Sequence, residues 1–119
     1  METRVLEASM SRINGVPVID IRGEINGFAQ AALDQVFDEA QSTGSATILL
    51  NFQNVEYINS TGIALIVNLL ARARKSGRVL IACGLSQHYQ EIFEITRLSQ
   101  FIRIYPDVST ALGAMTPPN

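Results

Sequence analysis

The sequence predicts an α/β fold, a mixed β-sheet with packed α-helices in the order β-β-α-β-α-β-α-β-α. Asn14-Gly15, set between two short apolar runs, is a strong signal for a tight hairpin and so for an antiparallel pair at the start of the chain. Beyond it, stretches with apolar residues at helical spacing alternate with short apolar runs, the pattern of strands covered by helices. Of the 119 residues 47% are hydrophobic and 17% charged, enough for one real core without disulfides or metals and too apolar for a disordered chain.

The first strand is expected at Arg4 to Met10, along an edge, and the second at Val16 to Ile21. Pro17 cannot donate to a ladder, so it should stand near a strand start or on an unpaired side. Gly23-Glu24-Ile25-Asn26-Gly27 breaks the strand and leads into a helix from about Ala29 to Ser42. Leu33, Val36, Phe37 and Ala40, at i, i+3, i+4 and i+7, form its apolar face, with Asp34, Asp38 and Glu39 turned to water and Gly44 ending it. Ala46 to Asn51 reads as a short buried strand, apolar almost throughout as a central strand should be. A polar turn, Tyr57 to Ile63, precedes the next helix, in which Ile63, Ile66, Val67 and Leu70 are expected to face the core and Leu65 and Leu69 to point away from it. Arg78 to Cys83 is the next strand, and Gly84 breaks it. Ser86 can cap a helix whose core face is Tyr89, Ile92 and Phe93. Phe101 to Ile104 is a short strand, and Tyr105-Pro106-Asp107 opens a last helix carrying Val108, Ala111 and Leu112. The chain is expected to form one domain over 1–119, with its core at about 4–113 and a frayed tail at 114–119.

Several function classes are disfavoured. The net charge of -2 argues against a general nucleic-acid partner, which would need a basic face. Arg72, Arg74, Lys75 and Arg78 cluster at a helix end, where cations meet the dipole favourably. The single cysteine, Cys83, lies in an apolar run and reads as a buried, inert thiol in a reducing compartment. No signal peptide is evident and no apolar run approaches the ~20 residues needed to span a bilayer, so the expected location is cytoplasmic, without a membrane partner. The chain has neither a glycine-rich loop ending in Gly-Lys-Ser/Thr nor a dinucleotide fingerprint, and its sole histidine, His88, excludes most triads and zinc sites. Asp34 and Asp38, one helical turn apart, read as a solvated face and not as a metal site. No catalytic residue, metal or cofactor is expected.

The polar turn is the informative stretch. Asn59 and Ser60 are both good N-cap residues, and a hydroxyl there sits beside unpartnered N–H groups at the positive end of the helix dipole. Ser60 is therefore either a phosphate acceptor or simply a cap. Leu65 and Leu69, if exposed, suit a surface that a partner or a second copy covers, although isolated surface leucines are common.

The run Leu49-Leu50-Asn51-Phe52-Gln53-Asn54-Val55-Glu56-Tyr57-Ile58-Asn59-Ser60-Thr61-Gly62-Ile63 resembles the motif of the STAS domain family, the anti-sigma-factor antagonists and the related domains of sulfate transporters, in which an apolar strand runs into Asp-Ser-Ser/Thr-Gly and an apolar helix. Gly23-Glu24-Ile25-Asn26 resembles the family's Gly-Glu-Leu-Asp. Glu94 to Leu98, Phe101 to Ile104 and Thr110-Ala111-Leu112 resemble its closing pattern, so that the likeness covers about residues 4 to 113. The resemblance implies a non-enzymatic binding switch. An anti-sigma factor that is also a serine kinase would bind the chain and phosphorylate Ser60, with Thr61 as the alternative acceptor, and a PP2C-type phosphatase would reverse it. The partner-binding set is then Asn26, Asn59, Ser60, Thr61, Gly62, Leu65 and Leu69. Asn59 and Asn26 stand where the family has aspartates, which leaves open a second reading, a scaffolding STAS domain that binds constitutively. A small enzyme or ligand-binding domain is the third.

Overall fold

The computed structural model describes residues 6–115. Strands β1 (Glu7–Ile13) and β2 (Val16–Ile25) form an antiparallel hairpin, with Ile13 opposite Val16 and Glu7 opposite Arg22. Asn14 and Gly15 take φ angles of 54° and 80°. Two left-handed central residues give the turn whose twist matches that of the flanking strands. Pro17 is the second residue of β2, near the strand start as expected. Arg4 and Val5, placed in the first strand from sequence, lie outside the described residues, and the strand runs on past Met10 to Ile13.

The chain continues through a one-turn 3-10 helix (Gly27–Ala29), α1 (Gln30–Ser42), β3 (Thr47–Ile58), α2 (Ser60–Lys75), β4 (Val79–Cys83), α3 (Gln87–Ile95), a second 3-10 turn (Leu98–Gln100), β5 (Arg103–Tyr105) and α4 (Val108–Met115). This is the predicted order. The five strands lie in the sheet as β1-β2-β3-β4-β5, parallel from β2 onward. Parallel neighbours need crossovers, and the helices between them supply these. Ala114 and Met115 belong to α4 and not to a frayed tail; 116–119 lie outside the described residues.

The sheet has a core on each face. Ile19, Ile21, Leu50 and Phe52 pack beneath α1, α2 and α3, where Phe52 meets Phe93 edge-on at 6.2 Å. On the opposite face Val18, Leu49, Ile81 and Cys83 pack against Ala111 and Leu112 of α4. Alternate residues of one strand serve opposite faces, so a strand covered on both sides reads as continuously apolar.

Two expectations are corrected. First, β3 does not end at Asn51 but continues to Ile58, because its backbone stays paired with β2 through Arg22↔Asn54 and Ile25↔Ile58 across two register shifts. The polar residues Gln53, Asn54 and Glu56 hide this from a reading based on apolarity. Second, Leu65 and Leu69 are not exposed: they are 8% and 2% accessible, while Val67, expected in the core, is 42% accessible. The buried stripe of α2 is Gly62, Leu65, Ile66, Leu69, Leu70 and Ala73. Its first turns are apolar nearly all round, so two adjacent stripes satisfy the helical period. The seating of Gly62 on the backbone of β2 selects between them. Asp34 and Asp38 lie on the water-facing side of α1 as expected, and there both pair with Arg72 of α2, the Asp34 contact being 3.2 Å; Arg72 also lies over the Phe37 ring at 4.9 Å.

Candidate functional site

The candidate site lies at the carboxyl ends of β2 and β3. Ile25 and Ile58 are register partners, so Asn26 and Asn59 leave the sheet side by side. Each asparagine then caps a helical turn. Asn26 Oδ1 accepts the Phe28 N–H at 2.9 Å, and Asn59 Oδ1 accepts the Gly62 N–H at 2.8 Å. Such caps contribute about 1 kcal/mol each to the turn that they start. The two loops are also tied to each other: the Asn59 N–H donates to the Ile25 carbonyl at 3.2 Å. A Cβ on Gly62 would overlap that same carbonyl, so only glycine allows α2 to start this close to β2.

From the other side, Tyr89 of α3 reaches the site with its hydroxyl, which accepts the Ile58 N–H at 2.8 Å in a buried setting. The residue before Asn59 is thereby held by a second element. Sequence reading placed Tyr89 in the core for its ring; nothing in the local pattern pointed to the role of its hydroxyl.

Ser60 is the first residue of α2 and is exposed. Asn59, not Ser60, does the capping, which leaves the Ser60 hydroxyl with no hydrogen-bond partner among the described residues. Thr61 is exposed beside it, its methyl 3.5 Å from where a Cβ on Gly27 would stand. The hydroxyl therefore stands free at the positive end of a 16-residue helix whose last turn carries Arg72, Arg74 and Lys75. An anionic group added to it would meet unpartnered N–H groups and a favourable dipole. Segments 23–29 and 54–62 contain the carboxylates Glu24 and Glu56 and no lysine or arginine.

Of the residues predicted for partner binding, Asn26, Asn59, Ser60, Thr61 and Gly62 come together here, with Gly62 buried as part of the frame. Leu65 and Leu69 do not; they face the sheet. Phe28, missed from sequence, stands on the 3-10 turn next to them with its ring 89% exposed. Its signal was an aromatic residue that fits no apolar stripe. His88 is exposed on α3 against the edge of Tyr89. Among the described residues no group of three or more His, Cys, Asp or Glu could hold a metal ion, and no helix is long and apolar enough to cross a membrane.

A second polar cluster sits within the sheet. Asn51 is buried, donating to Asp20 at 2.9 Å and accepting the Gln53 N–H at 3.1 Å, with Cys83 Sγ 3.6 Å from its Oδ1. Burial, and then the charges of Asp107 and Asp20, push the Cys83 thiol up to about 11. It is a protonated packing residue at neutral pH.

The family model described as the STAS domain matches residues 7–111. The chain belongs to the STAS domain family. This STAS domain is 28% identical over 86 residues to a Staphylococcus aureus protein named anti-sigma-B factor antagonist, a match that spans 72% of the chain and 80% of that relative. Its fold is that of an anti-sigma factor antagonist from Mycobacterium paratuberculosis, with a TM-score of 0.74 and 21% identity over 92% of this chain and 93% of that one. It is also that of the Bacillus cell fate determinant SpoIIAA in its phosphorylated form, with a TM-score of 0.71 and 17% identity over 92% and 100% of the two chains.

Proposed function

We propose that this STAS domain is a cytoplasmic anti-sigma-factor antagonist, a binding switch with no catalysis of its own. It docks on an anti-sigma factor that is also a serine kinase, which frees the sigma factor for transcription. Phosphorylation of Ser60, with Thr61 as the alternative acceptor, ends the docking, and a PP2C-type phosphatase restores it. The observation that carries this reading is the free, exposed Ser60 hydroxyl on the first turn of α2, left unbonded because Asn59 does the capping. The name of the Staphylococcus aureus relative and the phosphorylated state of SpoIIAA support it.

The switch follows from elementary electrostatics. A phosphate adds about -1.5 to -2 charges, tolerable at a helix N-terminus in water. Inside an interface the same group must lose its hydration, a cost that nearby cations need not repay. Modification thus changes what the surface can bind while leaving the fold intact.

One observation favours a second reading, a domain that binds constitutively. Asn59 stands where the family motif has aspartate, and its one acceptor oxygen bonded to the backbone carries no charge to orient the Ser60 hydroxyl toward a kinase. Intact-mass measurement after incubation with ATP and the candidate kinase separates the two. A switch gives one added phosphate that Ser60→Ala abolishes and Thr61→Ala keeps. A complex that forms without any added phosphate establishes the constitutive reading instead.

A further inference from the structure

Phe28 is the most exposed large apolar side chain among the described residues, at 89%, although Ile25 and Ala29 on either side of its turn are buried. It is not on a loose tip. The Phe28 N–H is bonded to Asn26 Oδ1 at 2.9 Å and the Ala29 N–H to the Asn26 carbonyl at 3.0 Å, while Ala29 anchors the turn in the core. The backbone therefore holds an aromatic ring in water and forgoes the free energy of its burial. The turn that carries it abuts the switch, since Gly27 lies against Thr61 and the Ile25 carbonyl takes the Asn59 N–H. Tyr57, the register partner of Glu24, adds a second half-exposed ring at the same end of the sheet.

We propose that Phe28 is the anchor on which the partner docks: its ring enters an apolar pocket of the anti-sigma factor, whose rim is basic. This rests on the function proposed above. Rigid aromatic side chains standing clear of the surface are the residues that carry most of the binding energy in protein interfaces. The rim chemistry follows from Glu24, a half-buried carboxylate two residues before Asn26. The pocket and Ser60 are covered together, so a phosphate at Ser60 has to be dehydrated for the ring to seat. A second copy of this chain fits the surface poorly, because a two-fold interface sets Glu24 against its own counterpart.

The test is the affinity of the anti-sigma factor kinase of the same genome for wild type, Phe28→Ala, Phe28→Leu and Phe101→Ala. Phe101 is a control, exposed beside Arg74 at the far end of α2, about 20 Å from Ser60 by helix rise. Phe28→Ala is expected to bind at least tenfold more weakly, Phe28→Leu in between, and Phe101→Ala within twofold of wild type, all with unchanged melting temperatures. Phe28→Ala binding within twofold of a wild type that does bind overturns the anchor and leaves the antagonist reading standing. A wild type that binds no such factor overturns both. A wild-type dimer in sedimentation that Phe28→Ala dissolves overturns the anchor in favour of a second copy.

Discussion

Asn59 and Ser60 divide between them two jobs that one side chain could have done. The Asn59 oxygen closes the first turn of α2 on the Gly62 N–H, and the Ser60 hydroxyl is left to solvent. The same economy holds at Asp107, where the carboxylate accepts the Thr110 N–H at 2.7 Å and is held below the usual carboxylate range chiefly by that bond. Cys83 is the opposite case, a group whose ionisation the fold resists. Its folded value of about 11 stands above the ordinary value of 9.0, so the unfolded chain loses the proton first. Stability is therefore lost as pH rises between those two values and is unaffected by this group below them. Urea unfolding at pH 8 to 11 should show a downward slope that is shallower in Cys83→Ala. In the native state at pH 8 the thiol should react with a disulfide reagent only as fast as the protein opens.

Among the elements, α2 carries the most consequence, because its rotation decides which side chains partners can reach. Gly62 against the Ile25 backbone turns Leu65 and Leu69 inward. Leu69→Ala should therefore cost about 2–5 kcal/mol in urea unfolding, as a buried leucine does, and Val67→Ala under about 0.5 kcal/mol. The reverse order would restore the leucine pair to the surface. The sequence spelled out the hairpin, the helix of Leu33 to Ala40, the Ser86 cap and the order of elements, because each rests on local turn chemistry or on a clear period. It could not show the rotation of α2, whose first turns are apolar on most sides, or the far half of β3, which is held by main-chain pairing with β2 and not by apolar side chains. The pairing of Arg72 with Asp34 and Asp38 escaped as well, since these partners lie 38 and 34 residues from it in the chain. At the candidate site the polar turn was legible from its cap residues. Phe28 and the Tyr89 hydroxyl were not, because what matters there is where a ring and an oxygen arrive in space.

At the scale of the whole molecule, the sheet gathers the candidate site at one end. Parallel strands bring the ends of β2 and β3 together, α2 offers its N-terminus there, and the basic last turn of α2 is carried to the other end. Charge added at Ser60 therefore falls at the end of α2 opposite its basic last turn. With Ser60 exposed to solvent, phosphorylation is expected to leave the fold as it is and to act on binding alone. The most direct measurement is the affinity of the anti-sigma factor for the unmodified protein and for the protein carrying one phosphate on Ser60, with circular dichroism of both. A binding switch predicts at least tenfold weaker binding of the phosphorylated form with identical spectra. Equal affinities would contradict it.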